Sequence, residues 1–374
     1  MPKMICDFLF IRVKIILFSA IFQSRVVSRS LQCLKALFLS RKLKIFLNYI
    51  VGPALFVWLS LSIYDQIKQQ NDLHQSWQMI KDAFYGTSNW KIVLVIVLMF
   101  LNYGIEARKW QILINRIENI GFGKAFKATL TGQAFAINTI NRSGDFVGRI
   151  LYLQEGNRLR AVALSLIGSM SQILATFFFG FVALASLKFS MSSQLNLLVG
   201  LSEVWQNALL ITLFIGILVF TIFYYNISIF IRFVEKIPFM TRFKFLIEKL
   251  EALHWRELTR ILCLSVARYV VFIVQYVLLL RVFGMESDLL NIMMMVSVFF
   301  LVMAVIPSIA LAELGFRGKL SLQLFGLLSA NHLGIIAAAA TIWIINLIIP
   351  AIAGSALILG VRLFKNKLSK KQLD

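Results

Sequence analysis

Cysteine and histidine are scarce in this chain. Cys6, Cys33 and Cys263, with His74, His254 and His332, are the whole complement in 374 residues. No two of the cysteines form a CxxC pair, so neither a disulfide framework nor a zinc site is expected. Acidic residues are also few, 17 against 38 Lys and Arg, and no Asp-rich cluster stands out. That leaves thin material for a carboxylate-held metal centre. A Walker A sequence is missing, so nucleotide energy would have to come through a partner. No metal, no cofactor and no catalytic residue set is expected. Charged residues of both signs make up 15% of the chain, where a soluble domain carries about a quarter.

Apolar residues fill the space instead. They are 59% of the chain, and the mean hydropathy is +0.82. Long apolar runs in a bilayer must satisfy their backbone internally, which points to an all-α polytopic membrane protein. The net charge of +21 sits on short loops between spans. It therefore reads as cytoplasmic anchoring, with attraction to anionic lipid as its functional counterpart. Nucleic acid is not expected as a partner.

Taken in order, residues 1–42 read as a basic cytoplasmic or interfacial segment, or as the product of an upstream start assignment. Six full spans are expected: 43–64, 91–104, 161–187, 208–231, 261–283 and 335–360, the last kinked near Pro350. The second should end at Glu106, Arg108 and Lys109. Arg268 lies inside the fifth, where it should snorkel or pair. The region 43–363 forms one membrane domain, and 364–374 is a basic tail. The Lys and Arg bias puts both termini on the cytoplasmic side.

Two stretches resist this scheme. Residues 125–149 hold a short apolar run, then Asn141-Arg142-Ser143-Gly144-Asp145 and Arg149. Three such charges facing lipid would cost on the order of 8–10 kcal/mol, so they must face water, protein or a polar cavity. A full crossing would also leave four arginines outside. A hairpin that dips in from the cytoplasm removes both difficulties, with Gly144 and Gly148 easing its turn. Residues 289–328 repeat the pattern, with Pro307 and then Glu313, Gly315, Arg317, Gly318 and Lys319. Parity with an inside tail requires this stretch to enter and leave from the outside. Two opposed re-entrant half-helix hairpins are what an inverted repeat would contain.

At these residues the chain resembles the lysylphosphatidylglycerol synthase transmembrane region, a flippase-like domain family, over roughly residues 43–363. The family pattern has a Pro-Gly-Arg-x-Gly-Glu type segment followed by Arg, and a late Pro…Gly-Gly-x-Gly-x-(Arg/Lys)-Glu type segment. Here they correspond to Asn141-Arg142-Ser143-Gly144-Asp145…Arg149 and Pro307…Ala312-Glu313-Leu314-Gly315-Phe316-Arg317-Gly318-Lys319. The chain looks like a stand-alone member, because it ends just after the last span where full synthases add a soluble aminoacyl-transfer domain. Lipid aminoacylation by this chain alone is thus not expected.

The resemblance implies translocation or binding of a lipid or lipid-linked headgroup in the plasma (inner) membrane. The partner would be an anionic phospholipid or a lipid-linked intermediate, and the protein partner a second copy or an envelope-synthesis enzyme. Arginine suits a phosphate because it is permanently charged and bonds it bidentately. Arg142, Arg149 and Arg317 are then the expected headgroup contacts, with Lys319 second. Asp145 and Glu313 would hold those arginines or meet a cationic headgroup. The plainer alternative is that Arg142–Asp145 and Glu313–Arg317 pair internally and only brace the hairpins. A membrane-embedded transferase and a non-transporting scaffold are the other classes. The topology is testable by cysteine labelling: Ser143→Cys and Gly318→Cys should react with impermeant maleimide from opposite faces, and labelling from one shared face overturns the opposed hairpins.

Overall fold

The computed structural model describes residues 89–137, 139, 142–189, 202–226, 254–306 and 310–358, with isolated positions 78, 81 and 86. All regular structure among the described residues is helical, in nine α-helices. They are α1 (Asn89–Ile114), α2 (Phe122–Ala136), α3 (Gly144–Ile150), α4 (Arg158–Phe189), α5 (Glu203–Tyr225), α6 (Trp255–Val282), α7 (Leu289–Val305), α8 (Ala310–Phe325) and α9 (His332–Trp343). A 3-10 turn, Glu155–Asn157, leads into α4, and a π-turn, Ile344–Ile348, continues α9 into a helix that runs to Ile358.

Five stretches are long and apolar enough to cross a bilayer: Asn89–Ile114, Glu155–Phe189, Glu203–Tyr225, Trp255–Val282 and His332–Ile358. They account for five of the six expected spans. The expected first span, with the 1–42 segment and the 364–374 tail, lies outside the described residues. One boundary is corrected. The second span does not end at Glu106–Lys109, because α1 runs on to Ile114 and both residues are buried within it, 6% and 2% exposed. Trp110, Leu113 and Ile114 continue its buried face.

The helices pack into two apolar cores, one toward each end of the bundle. One joins Val95, Met99 and Tyr103 of α1 to Tyr269–Leu280 positions of α6 and to α7, α8 and α9. The other joins Trp110, Leu113 and Ile114 to Ala125 and Ala128 of α2, Leu164 of α4, Tyr224 of α5 and Leu258 of α6. Between them, α1, α4 and α6 present polar residues to each other: Asn102, Glu106, Lys109, Ser165, Ser171, Ser265 and Arg268. Helix contacts across this layer are hydrogen-bonded, as a bilayer interior demands. Trp110 Nε1 donates to Ser165 Oγ at 3.0 Å, and Gln275 Nε2 to the Val95 carbonyl at 2.9 Å.

At one end the loops are tied by polar contacts. Arg116 pairs with Glu257, joining the end of α1 to the start of α6. Glu118 takes Lys124 Nζ, the Gln154 backbone N–H and Asn157 Nδ2. Burial opposes its charge, but these donors outweigh burial and hold the carboxyl below its usual range. Arg116, Lys124, Lys127, Arg158, Arg160, Arg256 and Arg260 gather at this end.

The stretch expected as the first hairpin folds as two short helices, α2 and α3, which pack chiefly against each other. Gly148 is not part of the turn. Its backbone lies against α2, where an added Cβ would sit 2.6 Å from the Gly132 Cα. Among the described residues of the turn the left-handed one is Arg142, φ 56°, rather than a glycine. Thr139 closes the corner: its hydroxyl donates to the Ala136 carbonyl at 3.1 Å and accepts the Gly144 N–H at 2.7 Å. The second pair is splayed by comparison. Helix α7 packs chiefly on α4 and α8 on α9, with fewer contacts between the two arms. Overpacking a close crossing costs roughly 1–3 kcal/mol, so Gly148→Val should lower the thermal midpoint in detergent. Gly216→Val, on an open face of α5, should not; an unchanged midpoint for Gly148→Val would contradict the crossing.

Candidate functional site

The charged residues of the polar layer converge on one carboxylate. Glu106 Oε2 lies 2.8 Å from Lys109 Nζ and 2.6 Å from Arg268 Nη1, and Glu106 Oε1 lies 3.0 Å from Arg149 Nη1. The three cations arrive on α1, α6 and α3. Lys109 also donates to the Gly168 carbonyl at 3.1 Å and to Ser265 Oγ at 3.3 Å. Arg268 Nε donates to Asn102 Oδ1 at 2.6 Å, which bears out the expectation that this arginine pairs.

Within the hairpin the ion pair differs from the one that the bracing alternative named. Asp145 pairs with Arg149, one turn on, at 2.6 Å with a second bond at 3.0 Å. Arg149 therefore bridges Asp145 and Glu106, tying the hairpin to α1. Arg142, which the bracing alternative paired with Asp145, donates to Gln133 Oε1 of α2 at 2.7 Å. In the second motif the expected pair forms: Glu313 and Arg317 are 2.9 Å apart, and Arg317 Nη1 reaches the Tyr276 hydroxyl at 3.3 Å. Lys319 does not share that face. Two residues after Arg317, it is turned by about 200° around α8.

The two motifs meet at a small cavity. It is lined by Ala136, Ile137, Thr139 and Arg142 from the first hairpin, Glu313 from α8, and Trp343 and Leu347 from α9. At about 20 Å³ it has room for roughly one water. Glu313 lies within the field of Arg142. Trp343 Nε1, from the lining, and Gln133 Nε2, from the side chain that accepts Arg142, find no acceptor among the described residues. Helix α9 is shaped for this contact. Pro350 has no N–H, so the Asn346 carbonyl four residues earlier lacks its usual helical donor and accepts the Tyr103 hydroxyl at 2.8 Å. Asn346 Nδ2 also donates to Gln275 Oε1 at 3.1 Å. Tyr103 itself lies within the field of Arg142, Asp145, Arg149 and Arg268.

The layer thus holds Lys109, Arg142, Arg149, Arg268 and Arg317 against Glu106, Asp145 and Glu313, a surplus of two positive charges. Of the six residues singled out from sequence, five lie in it and Lys319 stands apart. Glu106, Lys109, Gln133, Tyr276 and Trp343 were missed. A signal existed for the first two: Asn102, Glu106 and Lys109 fall at i, i+4 and i+7, one face of a helix.

A family model described as the lysylphosphatidylglycerol synthase TM region matches residues 45–354. No curated protein and no solved structure matches the chain.

Removing one member of a buried charge group leaves the others uncompensated, at about 3–5 kcal/mol. Glu106→Gln should therefore lower the thermal midpoint sharply. Adding Lys109→Met should restore part of the loss, because one surplus cation goes with it. A double variant no more stable than the single one would contradict the shared-carboxylate account.

Proposed function

The chain belongs to the lysylphosphatidylglycerol synthase transmembrane-region family, and we propose that it is a translocase that binds the anionic headgroup of a phospholipid or lipid-linked intermediate inside its membrane domain. Membership makes it a multi-pass, lipid-related membrane protein. The finer reading rests chiefly on one observation: Arg142 of the first hairpin and Glu313 of the second line the same cavity. The surplus of positive charge in the layer and the unanswered N–H donors of Trp343 and Gln133 favour an acceptor-rich, negatively charged guest. Leaving such donors buried and unmade costs about 1–3 kcal/mol each, a cost that phosphate oxygens would remove.

The residues then divide by task. Arg142 meets the headgroup directly, its left-handed backbone held by the surrounding turn. Arg317 meets it from the far side, oriented by Glu313 and Tyr276. Arg149 is a positioning residue, occupied by Asp145 and Glu106. Lys319 is a secondary contact on the route of entry. A cavity with room for one water admits a headgroup only when the hairpins part, so loading and release require α2–α3 and α7–α8 to move against the α1–α4–α6 body. That is the behaviour of opposed re-entrant elements around a central site. The basic residues at the Arg116–Glu257 end favour that end as cytoplasmic, in the plasma (inner) membrane, with both termini inside.

In a reconstituted assay with fluorescent phosphatidylglycerol, Arg142→Ala and Arg317→Ala should abolish transbilayer movement at normal protein level. Movement at the wild-type rate in both would overturn the headgroup role.

A further inference from the structure

Beside the polar cavity lies a second, larger one. It is a groove of about 440 Å³ between α2 and the end of the α9 span, lined by Ala134, Ile137, Ile348, Ala351, Ile352 and Ser355. Resting on the headgroup reading above, we propose that this groove seats one acyl chain of the lipid whose headgroup enters at Arg142 and Glu313.

Three observations carry this. The two spaces adjoin: Ile137 lines both, and the consecutive residues Leu347 and Ile348 line one each. A lipid is the ligand whose charged and apolar ends need such neighbours. The groove also opens sideways. Ile352 is 65% exposed, and in a bilayer that face meets acyl chains, so a tail remains in hydrocarbon while its headgroup leaves the surface. Finally, the groove does not arise from loose packing. Helices α2 and α9 touch backbone to backbone nearby, where a Cβ on Gly354 would lie 2.0 Å from the Leu130 carbonyl oxygen. Beside that contact the small residues Ala134, Ala351 and Ser355 leave room between three isoleucines, Ile137, Ile348 and Ile352. Its volume lies within the range of ~300–1,000 Å³ typical of small-molecule sites.

The test uses the full chain carrying Ile352→p-benzoylphenylalanine in nanodiscs of equal phosphatidylglycerol and phosphatidylcholine. Irradiation should give an adduct of one phosphatidylglycerol, and Arg142→Gln in the same chain should reduce it about tenfold, the loss of a charge-assisted bond. Adducts to both lipids in bulk proportion and indifferent to Arg142→Gln would show ordinary bilayer contact and overturn the proposal. Adducts to a peptide of the same chain, or to a second copy, would show another occupant and overturn it too. Native mass spectrometry of the unlabelled protein separates the two readings. Phosphatidylglycerol retained through Arg142 without a groove adduct sinks the groove alone, whereas retention that ignores Arg142 sinks the headgroup reading and the groove with it. A further arm, Ala351→Trp, should lower retention with Arg142 intact; unchanged retention in that folded variant would also overturn the proposal.

Discussion

Glu106 carries a single negative charge and faces three cations that reach it from three separate elements. None of the three would sit comfortably alone in a bilayer. An arginine or lysine at a helix centre costs about 2.5–3.5 kcal/mol to insert. Assembly removes much of that cost, because each cation gains a carboxylate partner and Lys109 gains Gly168 and Ser265 besides. The network therefore couples insertion to folding: α1, α6 and the first hairpin reach their lowest free energy only in one another's company. It also explains why the two apolar cores do not merge. The polar layer between them is where α1, α4 and α6 approach through asparagine, serine and ion pairs, while leucine and aromatic residues pack above and below.

The hairpin hangs from this carboxylate by one residue. Arg149 holds Asp145 with one edge of its guanidinium and Glu106 with another. The closeness of Gly132 and Gly148 lets α3 lie against α2, so the bridge can form. Arg142 is left on the free side of the turn, in a conformation that costs a side-chain-bearing residue about 1–2 kcal/mol. Its hydrogen bond to Gln133 and the hydroxyl of Thr139 stabilise the corner from within. The second pair of helices has no equivalent bridge to Glu106. Its acid–arginine pair is local to α8, and its arms are spread onto α4 and α9. The two halves resemble each other in residue types more than in packing.

Much of this was legible from the order of residues. Apolar runs located the spans, and the misplaced charges at 142–149 and 313–319 marked two breaks. The choice of ion pair was not legible, because Arg142–Asp145 and Asp145–Arg149 are both plausible spacings on a helix. The outcome turns on where α3 begins. With Gly144 as its first residue, Asp145 and Arg149 share a face one turn apart, and Arg142 lies outside the helix and points elsewhere. Glu106 was hidden for a related reason. Glu-Ala-Arg-Lys after an apolar run looks like a span reaching the surface. Only partners contributed from positions 149, 168, 265 and 268 make it an interior, and such distances do not show in a local pattern. Lys319 is the reverse case: it is close to Arg317 in sequence, while helical geometry turns it to another face of α8.

Helix α9 is where the polar and apolar needs of a lipid would meet, and its irregularity allows that. A regular helix keeps one residue type along one face. The π-turn Ile344–Ile348 adds a residue to the turn and so rotates the next stretch of helix about its axis. Before it and within it, Trp343 and Leu347 line the charged cavity; after it, Ala351, Ile352 and Ser355 line the apolar groove. Pro350 sustains the break by withholding a donor, and Tyr103 and Gln275 fix it to α1 and α6 through Asn346. The register change is thus tied to the same two helices that hold Glu106. A movement of the first hairpin that disturbed Arg149 would bear on Glu106, and through α1 and α6 on the helix that walls both spaces.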